Sequence, residues 1–157
     1  MILLDNTVLS NFALADELIL LKDYCRGLGA TTVQVMAEFQ TGIRQGFFKN
    51  PDFGWLKIMD FKNEIEKFMF VRLNQRIGAG EASCLTLAIL RKYDFLTDDM
   101  MVRKMAYREG IRISGSIGVL IALVKMERIT PAIGNNILLN FIRQGYFSPR
   151  EKLDEFL

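Results

Sequence analysis

The chain of 157 residues contains no histidine. That absence excludes Ser-His-Asp and Cys-His catalysis, and any ribonuclease mechanism built on a pair of histidines. It also removes most zinc chemistry, because His and Cys are the usual ligands. The two cysteines, Cys25 and Cys84, are too far apart for metal-ligand spacing or a disulfide framework. Both fall in apolar helical patterns, where a buried free thiol is common, and a reducing, cytoplasmic setting is the expectation. Long apolar runs are also missing. The longest, Val119 to Val124, is too short to cross a membrane. The N-terminus reaches an acidic residue at Asp5 without a basic leader, so it does not read as a signal peptide. Nor is there an excess of one charge: 20 Lys+Arg against 18 Asp+Glu leave +2, which permits nucleic-acid binding without arguing for it. An enzyme of this composition has carboxylates and a hard cation as its tools.

What is present is an alternation of short apolar runs and helical patterns, in a length that suits a single domain over residues 1–157. Ile2-Leu3-Leu4 reads as a strand buried on both faces, ending on Asp5. Thr7 is the expected cap of a short helix holding Val8, Leu9 and Phe12. A second helix puts Leu14, Leu18, Leu21 and Tyr24 or Cys25 on one face, and Gly27 and Gly29 stop it. Ala30 to Val33 read as a strand and Val35 to Arg44 as a helix. Gly46, Asn50, Pro51 and Gly54 mark a loop. Trp55 to Phe61 alternate as a strand. Asn63 to Gln75 form a helix with Ile65, Phe68, Met69 and Leu73 facing inward and Lys62, Lys67, Arg72 and Arg76 solvated. Gly78-Ala79-Gly80-Glu81 opens a helix that buries Ala82, Leu85, Ala88 and Ile89. Phe95-Leu96-Thr97 is a strand ending on Asp98-Asp99. A helix over Met101 to Arg108 and a strand over Ile111 to Ser114 follow, then helices over Ile117 to Met126 and Pro131 to about Arg143. A short last helix within 148–157 forms a C-terminal extension. Such alternation implies an α/β fold with a parallel sheet covered by helices on both faces. Right-handed crossovers place every strand's carboxyl end on one edge, which is where ligands bind in open α/β sheets.

The acidic residues collect at that edge. Asp5 and Asp98-Asp99 end strands, Glu81 sits in the first turn of one helix, and Glu38 lies two turns into another. Each has a plain structural explanation as well, since Asp and Glu cap helices and offset the helix dipole. Glu38 is hardest to explain that way, because it interrupts an apolar pattern. Glu64, Glu66 and Glu127 are expected on solvated faces. Carboxylates converging in one crevice repel each other, and Mg²⁺ or Mn²⁺ relieves this while bridging to a phosphate. The chemistry that fits is metal-assisted phosphodiester hydrolysis. Arg44, Lys49, Arg103, Lys104 and Arg108 are expected near the crevice, where phosphate contacts would position a strand without reading its sequence, although plain surface solvation is the stronger reading for any one of them. Ser114 and Ser116 follow the last strand and either meet a phosphate or shape the turn. The apolar face with Met100, Met101 and Met105, and the tail with Phe156 and Leu157, either packs internally or binds a partner, core packing being the expectation at helical spacing.

In order along the chain, Asp5-Asn6-Thr7-Val8-Leu9, Val35-Met36-Ala37-Glu38-Phe39, Gly80-Glu81-Ala82-Ser83 and Leu96-Thr97-Asp98-Asp99 resemble the motifs of PIN-domain proteins, the metal-dependent nucleases that include VapC-type toxins. Ile113-Ser114-Gly115-Ser116-Ile117-Gly118-Val119-Leu120 and Arg143-Gln144-Gly145-Tyr146-Phe147-Ser148 are similar to segments of one PIN branch. The resemblance implies a three-layer α/β/α sandwich with a central, mainly parallel sheet. It implies an acidic pocket for Mg²⁺ or Mn²⁺ and endonuclease activity on RNA, often with an antitoxin partner and homodimerisation. Carried over by position, the catalytic set is Asp5, Glu38, Glu81 and Asp99. The metal set is Asp5, Glu81, Asp98 and Asp99, with Asp98 sharing or replacing the role of Asp99. Asn6, Thr7, Thr97 and Ser116 are the substrate-side candidates. Two departures stand out. Asn6-Thr7 inverts the usual order of those residue types, and Ser83 stands where this branch often carries a second Glu. The alternative function is a catalytically silent PIN-fold module that binds RNA or protein. An aspartyl-phosphate phosphatase is set aside because position 7 is Thr, and a dinucleotide-binding enzyme because no Gly-rich turn follows the first strand.

Overall fold

The first apolar run forms β1 (Ile2–Leu4), and the chain then alternates as the patterning predicts: α1 (Asn6–Leu14), α2 (Leu18–Cys25), β2 (Gly29–Thr32), α3 (Val33–Arg44), β3 (Lys57–Met59), α4 (Glu64–Asn74), α5 (Ala79–Arg91), β4 (Asp94–Leu96), α6 (Met100–Arg108), β5 (Ile113–Ser114), α7 (Ser116–Lys125) and α8 (Pro131–Arg143). These come from a computed structural model that describes residues 1–49 and 51–157, so Asn50, one of the loop markers, lies outside the described residues. The five strands run in the order β3-β2-β1-β4-β5, and every pairing is parallel. The fold is a three-layer α/β/α sandwich. Helix α5 lies against β1, β2 and β4 with α3, α4 and α6 beside it, while α7 packs with α1, α2 and α8. Leu3, Leu4, Phe12, Phe95, Leu96 and Phe141 are among the fully buried side chains. Both cysteines are free and buried. Among the described residues no helix is long and apolar enough to cross a membrane.

The topology positions the site. From β1 the chain steps outward through β2 and β3, then returns to the other side of β1 for β4 and β5. Strand order therefore reverses at β1, and the connections diverge above its carboxyl end to leave a crevice. Asp5 sits at that point, its backbone N–H tied to Leu96 O at 3.2 Å.

Several expectations are corrected. The cap of α1 is Asp5, not Thr7. Val33 opens α3 rather than closing β2, because Thr32 caps that helix by accepting from the Val35 amide at 3.2 Å. Only Lys57–Met59 of the stretch Trp55 to Phe61 is strand. It is an edge strand paired on one side, and an Asx turn that joins Gly54 N–H to Asp52 Oδ1 at 2.8 Å holds the residues before it. The last segment is a single 3₁₀ turn, Leu153–Phe156, anchored where Leu153 N–H donates to Asn135 Oδ1 at 2.7 Å. Met100 and Met101 are exposed; α6 turns Val102 and Ala106 to the core instead. Other boundaries shift by a residue or two, as helix ends do.

The largest correction concerns α4. Ile65 and Phe68 are 69% and 65% exposed, whereas Glu66 is 4% exposed. Glu66 receives Arg91 Nε and Nη2 at 2.7 and 2.9 Å and the Lys62 amide at 2.7 Å. Arg91 also reaches Asp60 O at 2.9 Å. A hydrogen-bonded buried ion pair sets the rotation of α4 against α5, which turns Ile65 and Phe68 to solvent and leaves Met69 half-buried and Leu73 packed against the core.

Candidate active site

Asp5 serves both as helix cap and as edge carboxylate. Its Oδ1 accepts from Thr7 Oγ1 at 2.6 Å and from the Val8 amide at 3.2 Å. Its Oδ2 is buried and meets no donor at hydrogen-bonding geometry. The residue is fully buried, and desolvation raises its pKa from 3.8 to about 7. The Thr7 and Thr97 hydroxyls and the Val8 amide oppose the rise, while the charge of Asp98 adds to it. Thr7 does more than orient Asp5: its hydroxyl also accepts from the Asp98 amide at 3.0 Å, so one side chain joins the ends of β1 and β4. Asn6 is committed locally, accepting from Ser10 Oγ at 3.0 Å.

The two aspartates after β4 are held differently. Asp98 Oδ1 accepts from the Ser116 amide at 2.8 Å, and Oδ2 accepts from Ser116 Oγ at 2.5 Å and Asn11 Nδ2 at 3.0 Å. Asp99 caps α6 through one oxygen, Oδ1, which accepts from the Val102 amide at 2.8 Å. Its own amide donates to Thr97 Oγ1 at 3.2 Å. Asp98 thus accepts from three donors and knits β4 to α1 and α7, whereas Asp99 presents a carboxylate with one hydrogen bond.

Glu81 is the third helical residue of α5, and its Oε2 accepts from the Gly78 amide at 3.1 Å. Burial raises its pKa above the ordinary Glu value, the Gly78 amide opposes this, and the charges of Asp99 and Glu38 add to it. Glu38 reaches across from α3 to accept from the Gly80 amide at 2.8 Å. A Cβ on Gly80 would stand 2.6 Å from Glu38 Oε2 and 2.9 Å from Oε1. The glycine is therefore required for the close approach of α5 backbone and carboxylate, not for a turn. Replacing Gly80 with alanine is expected to displace Glu38 while leaving thermal stability unchanged or raised by up to about 1 kcal/mol, since Ala favours a helix over Gly. A melt compared with a cleavage assay separates the two effects.

The structure thus brings Asp5, Glu38, Glu81 and Asp99 to one edge, with Asp98 and Thr97 beside them. Among the described residues no three acidic or cysteine side chains stand close enough to hold one ion as they sit. Ser83 is buried, donating to Gly80 O at 2.7 Å and bonded to Thr32 Oγ1 at 2.6 Å, so its position faces the interior behind the edge. Ser116 is spent on Asp98. Lys49 lines a different groove, with Leu14, Phe47 and Trp55, because α1 and α3 carry the chain away from the strand ends. Arg103 is at the edge, donating to Thr97 O at 3.0 Å. Two participants escape sequence reasoning. Asn11 is a polar residue one turn after Thr7 in an apolar helix, the same signal that marks Glu38. Tyr146, from the segment after α8, stands beside Asp98 and Arg103, and burial followed by the charge of Asp98 pushes its phenol pKa up.

The family described as DUF3368: PIN domain matches residues 1–157. The chain belongs to this PIN-domain family. No curated protein and no solved structure matches the chain significantly. The PIN domain is a nuclease-type fold, and in this one the carboxylates at the edge above β1 are the candidate functional groups.

Proposed function

We propose that this PIN domain is a Mg²⁺- or Mn²⁺-dependent endoribonuclease that hydrolyses phosphodiester bonds at the crevice above β1. The observation that carries the reading is Asp5: a fully buried carboxylate with Oδ2 unpartnered. A buried polar atom left without a partner is costly, and the all-oxygen chemistry of Asp5, Glu81 and Asp99 suits a hard divalent cation, on which the three side chains would have to close from where they sit. A bound ion of this kind supplies a more acidic water and stabilises charge on the attacking and leaving oxygens.

The protein's own groups have separable tasks. Thr7 and the Val8 amide fix Asp5 through Oδ1 and leave Oδ2 without a protein donor, free for the ion. Asp99, with one hydrogen bond, is the ligand of the β4 pair, and Asp98 is the strut that fixes Thr7, Asn11 and Ser116 around it. Burial, with the charges of Asp99 and Glu38 beside it, raises the proton affinity of Glu81, which suits a group that accepts a proton from water. A toxin role with a cognate antitoxin and homodimerisation belong to the same proposal, on the resemblance to PIN-domain nucleases, which include VapC-type toxins, and a cytoplasmic setting is proposed from the two free cysteines.

The test compares Asp99→Asn with Asp98→Asn in cleavage of mixed single-stranded RNA with Mn²⁺. Asp99→Asn is expected to lose about a hundredfold or more in rate with an unchanged melt. Asp98→Asn is expected to melt earlier, because the amide presents a donor where Ser116 and Asn11 already donate, at a cost of about 1–3 kcal/mol. Full activity in Asp99→Asn would contradict the assignment. Absence of cleavage in the wild type, with RNA still bound, would favour the silent binding module.

A further inference from the structure

A second surface adjoins the acidic edge and has the opposite sign. Between α6 and the edge strand β5 runs a groove of about 510 Å³ lined by Arg103, Lys104, Tyr107, Arg108, Ile111 and Arg112, among others. It begins at the site itself, since Arg103 donates to Thr97 O. It continues along α6, where the i, i+4 pairs Arg103–Tyr107 and Lys104–Arg108 stack about 6 Å apart on one side of the helix. Arg103, Lys104 and Arg108 form no ion pair with another described residue. Arg112 is paired with Asp94 and contributes less, and Glu109 is the one carboxylate on the adjoining end of α6. Tyr107 is 80% exposed, an aromatic ring lining the same groove as the cations.

Unpaired cations at helical spacing, interleaved with an exposed ring and continuous with a phosphodiester site, match one chemistry: a single strand whose phosphates meet the cations and whose unstacked base meets the ring. We propose that the α6–β5 groove is the track for the single-stranded RNA flank on one side of the scissile phosphate. Lys104 and Arg108 contact phosphates, and Tyr107 stacks on a base. This rests on the nuclease reading for its substrate, but its test does not need cleavage.

The measurement is fluorescence anisotropy of a short labelled single-stranded RNA, in EDTA so that nothing is cut, against the wild type and variants. Tyr107→Ala is expected to weaken binding about fivefold or more, with Tyr107→Phe restoring it, since a stacked base is worth about 1–3 kcal/mol. The pair Lys104→Ala and Arg108→Ala is expected to lower the slope of log K against log salt by about 1.4, or about 0.7 for each single-strand phosphate contact. Lys125→Ala, an exposed cation at the far end of α7, is expected to change neither. These side chains are exposed, so the variants fold, which a melt verifies. Wild-type affinity and salt slope in the Tyr107 and Lys104/Arg108 variants would overturn the proposal. So would an equal loss for duplex RNA in Tyr107→Ala, or a polyglutamate peptide that displaces the RNA as well as unlabelled RNA does, which would make the groove a protein-docking surface. Cleavage with an unaltered KM in the Lys104/Arg108 variant would sink the track while leaving the nuclease reading intact. Groove-dependent binding without cleavage under any metal would do the reverse.

Discussion

Replacing Asp5 with asparagine is expected to abolish metal-dependent cleavage and, in metal-free protein at neutral pH, to raise stability. The two effects share one cause. Asp5 is fully buried, and its carboxyl pKa is raised from 3.8 to about 7. Between about pH 4 and pH 7 the folded protein therefore binds a proton that the unfolded chain has released. Stability is highest with Asp5 protonated and falls as pH rises through this window. A difference of about three between the two values, at about 1.4 kcal/mol each, is about 4 kcal/mol lost by neutral pH. Asparagine caps a helix as well as aspartate does and carries no charge, though its amide adds a donor where Oδ2 stood, at about 1–3 kcal/mol. The net gain expected at pH 7.5 in EDTA is about 2 kcal/mol, or about 4–8 °C in Tm for a chain of this size. Melts at pH 5 and pH 7.5 check the sign: the wild type loses stability across the interval, and Asp5→Asn loses much less. Glu81, also raised chiefly by burial, shifts the wild type in the same direction. Saturating Mn²⁺ is expected to reverse the order, since it stabilises the form that binds it. Cleavage by Asp5→Asn is expected to fall about a hundredfold or more.

The second large effect is expected far from the chemistry. Arg91→Met leaves the Glu66 carboxylate buried without its partner, and breaking a buried pair in this way costs about 3–5 kcal/mol. The pair joins α4, the residues after β3 and α5 through Arg91 to Glu66 and Asp60 O, so the loss is expected to concentrate on α4. Faster amide exchange over Glu64–Asn74 would show it. Replacing both partners, Glu66→Leu with Arg91→Met, is expected to recover most of the stability, because an apolar pair of similar volume often does as well as a buried ion pair. The Glu66 pKa is lowered, chiefly by the hydrogen bonds from Arg91. The pair's contribution is therefore complete above the ordinary Glu value and lost as acid protonates Glu66 below it. A wild-type melt unchanged from pH 6 to pH 3, with Arg91→Met equally stable, would contradict this account of α4.

The parts of the fold set by local pattern were legible in the chain. A doubly apolar run ending in a carboxylate marks a central strand and its carboxyl end at once, so Asp5, Asp98 and Asp99 could be placed before any coordinates. Glu38 was visible because it breaks an apolar helix, and Glu81 because it follows glycines at a helix start. What failed was what periodicity cannot carry. A 3.6-residue period shows that α4 has an apolar stripe, not which way the helix is turned. The turning comes from Glu66 meeting Arg91 twenty-five residues on. Met100 and Met101 failed for the same reason. The division of labour between Asp98 and Asp99 was also hidden. Asp98 is held by Asn11 and Ser116, 87 and 18 residues away, and contacts at such separations leave no local trace.

The most direct test of the central claim is cleavage of a mixed single-stranded RNA pool by wild type and Asp5→Asn in Mn²⁺, Mg²⁺ or EDTA, with the chemistry of the new ends determined. The expected result is cutting that requires either ion, stops in EDTA, leaves 5′-phosphates and vanishes in the variant, with Mn²⁺ binding by calorimetry weakened in parallel. Cutting that persists in EDTA or in Asp5→Asn, or a folded wild type that binds neither ion, would contradict it.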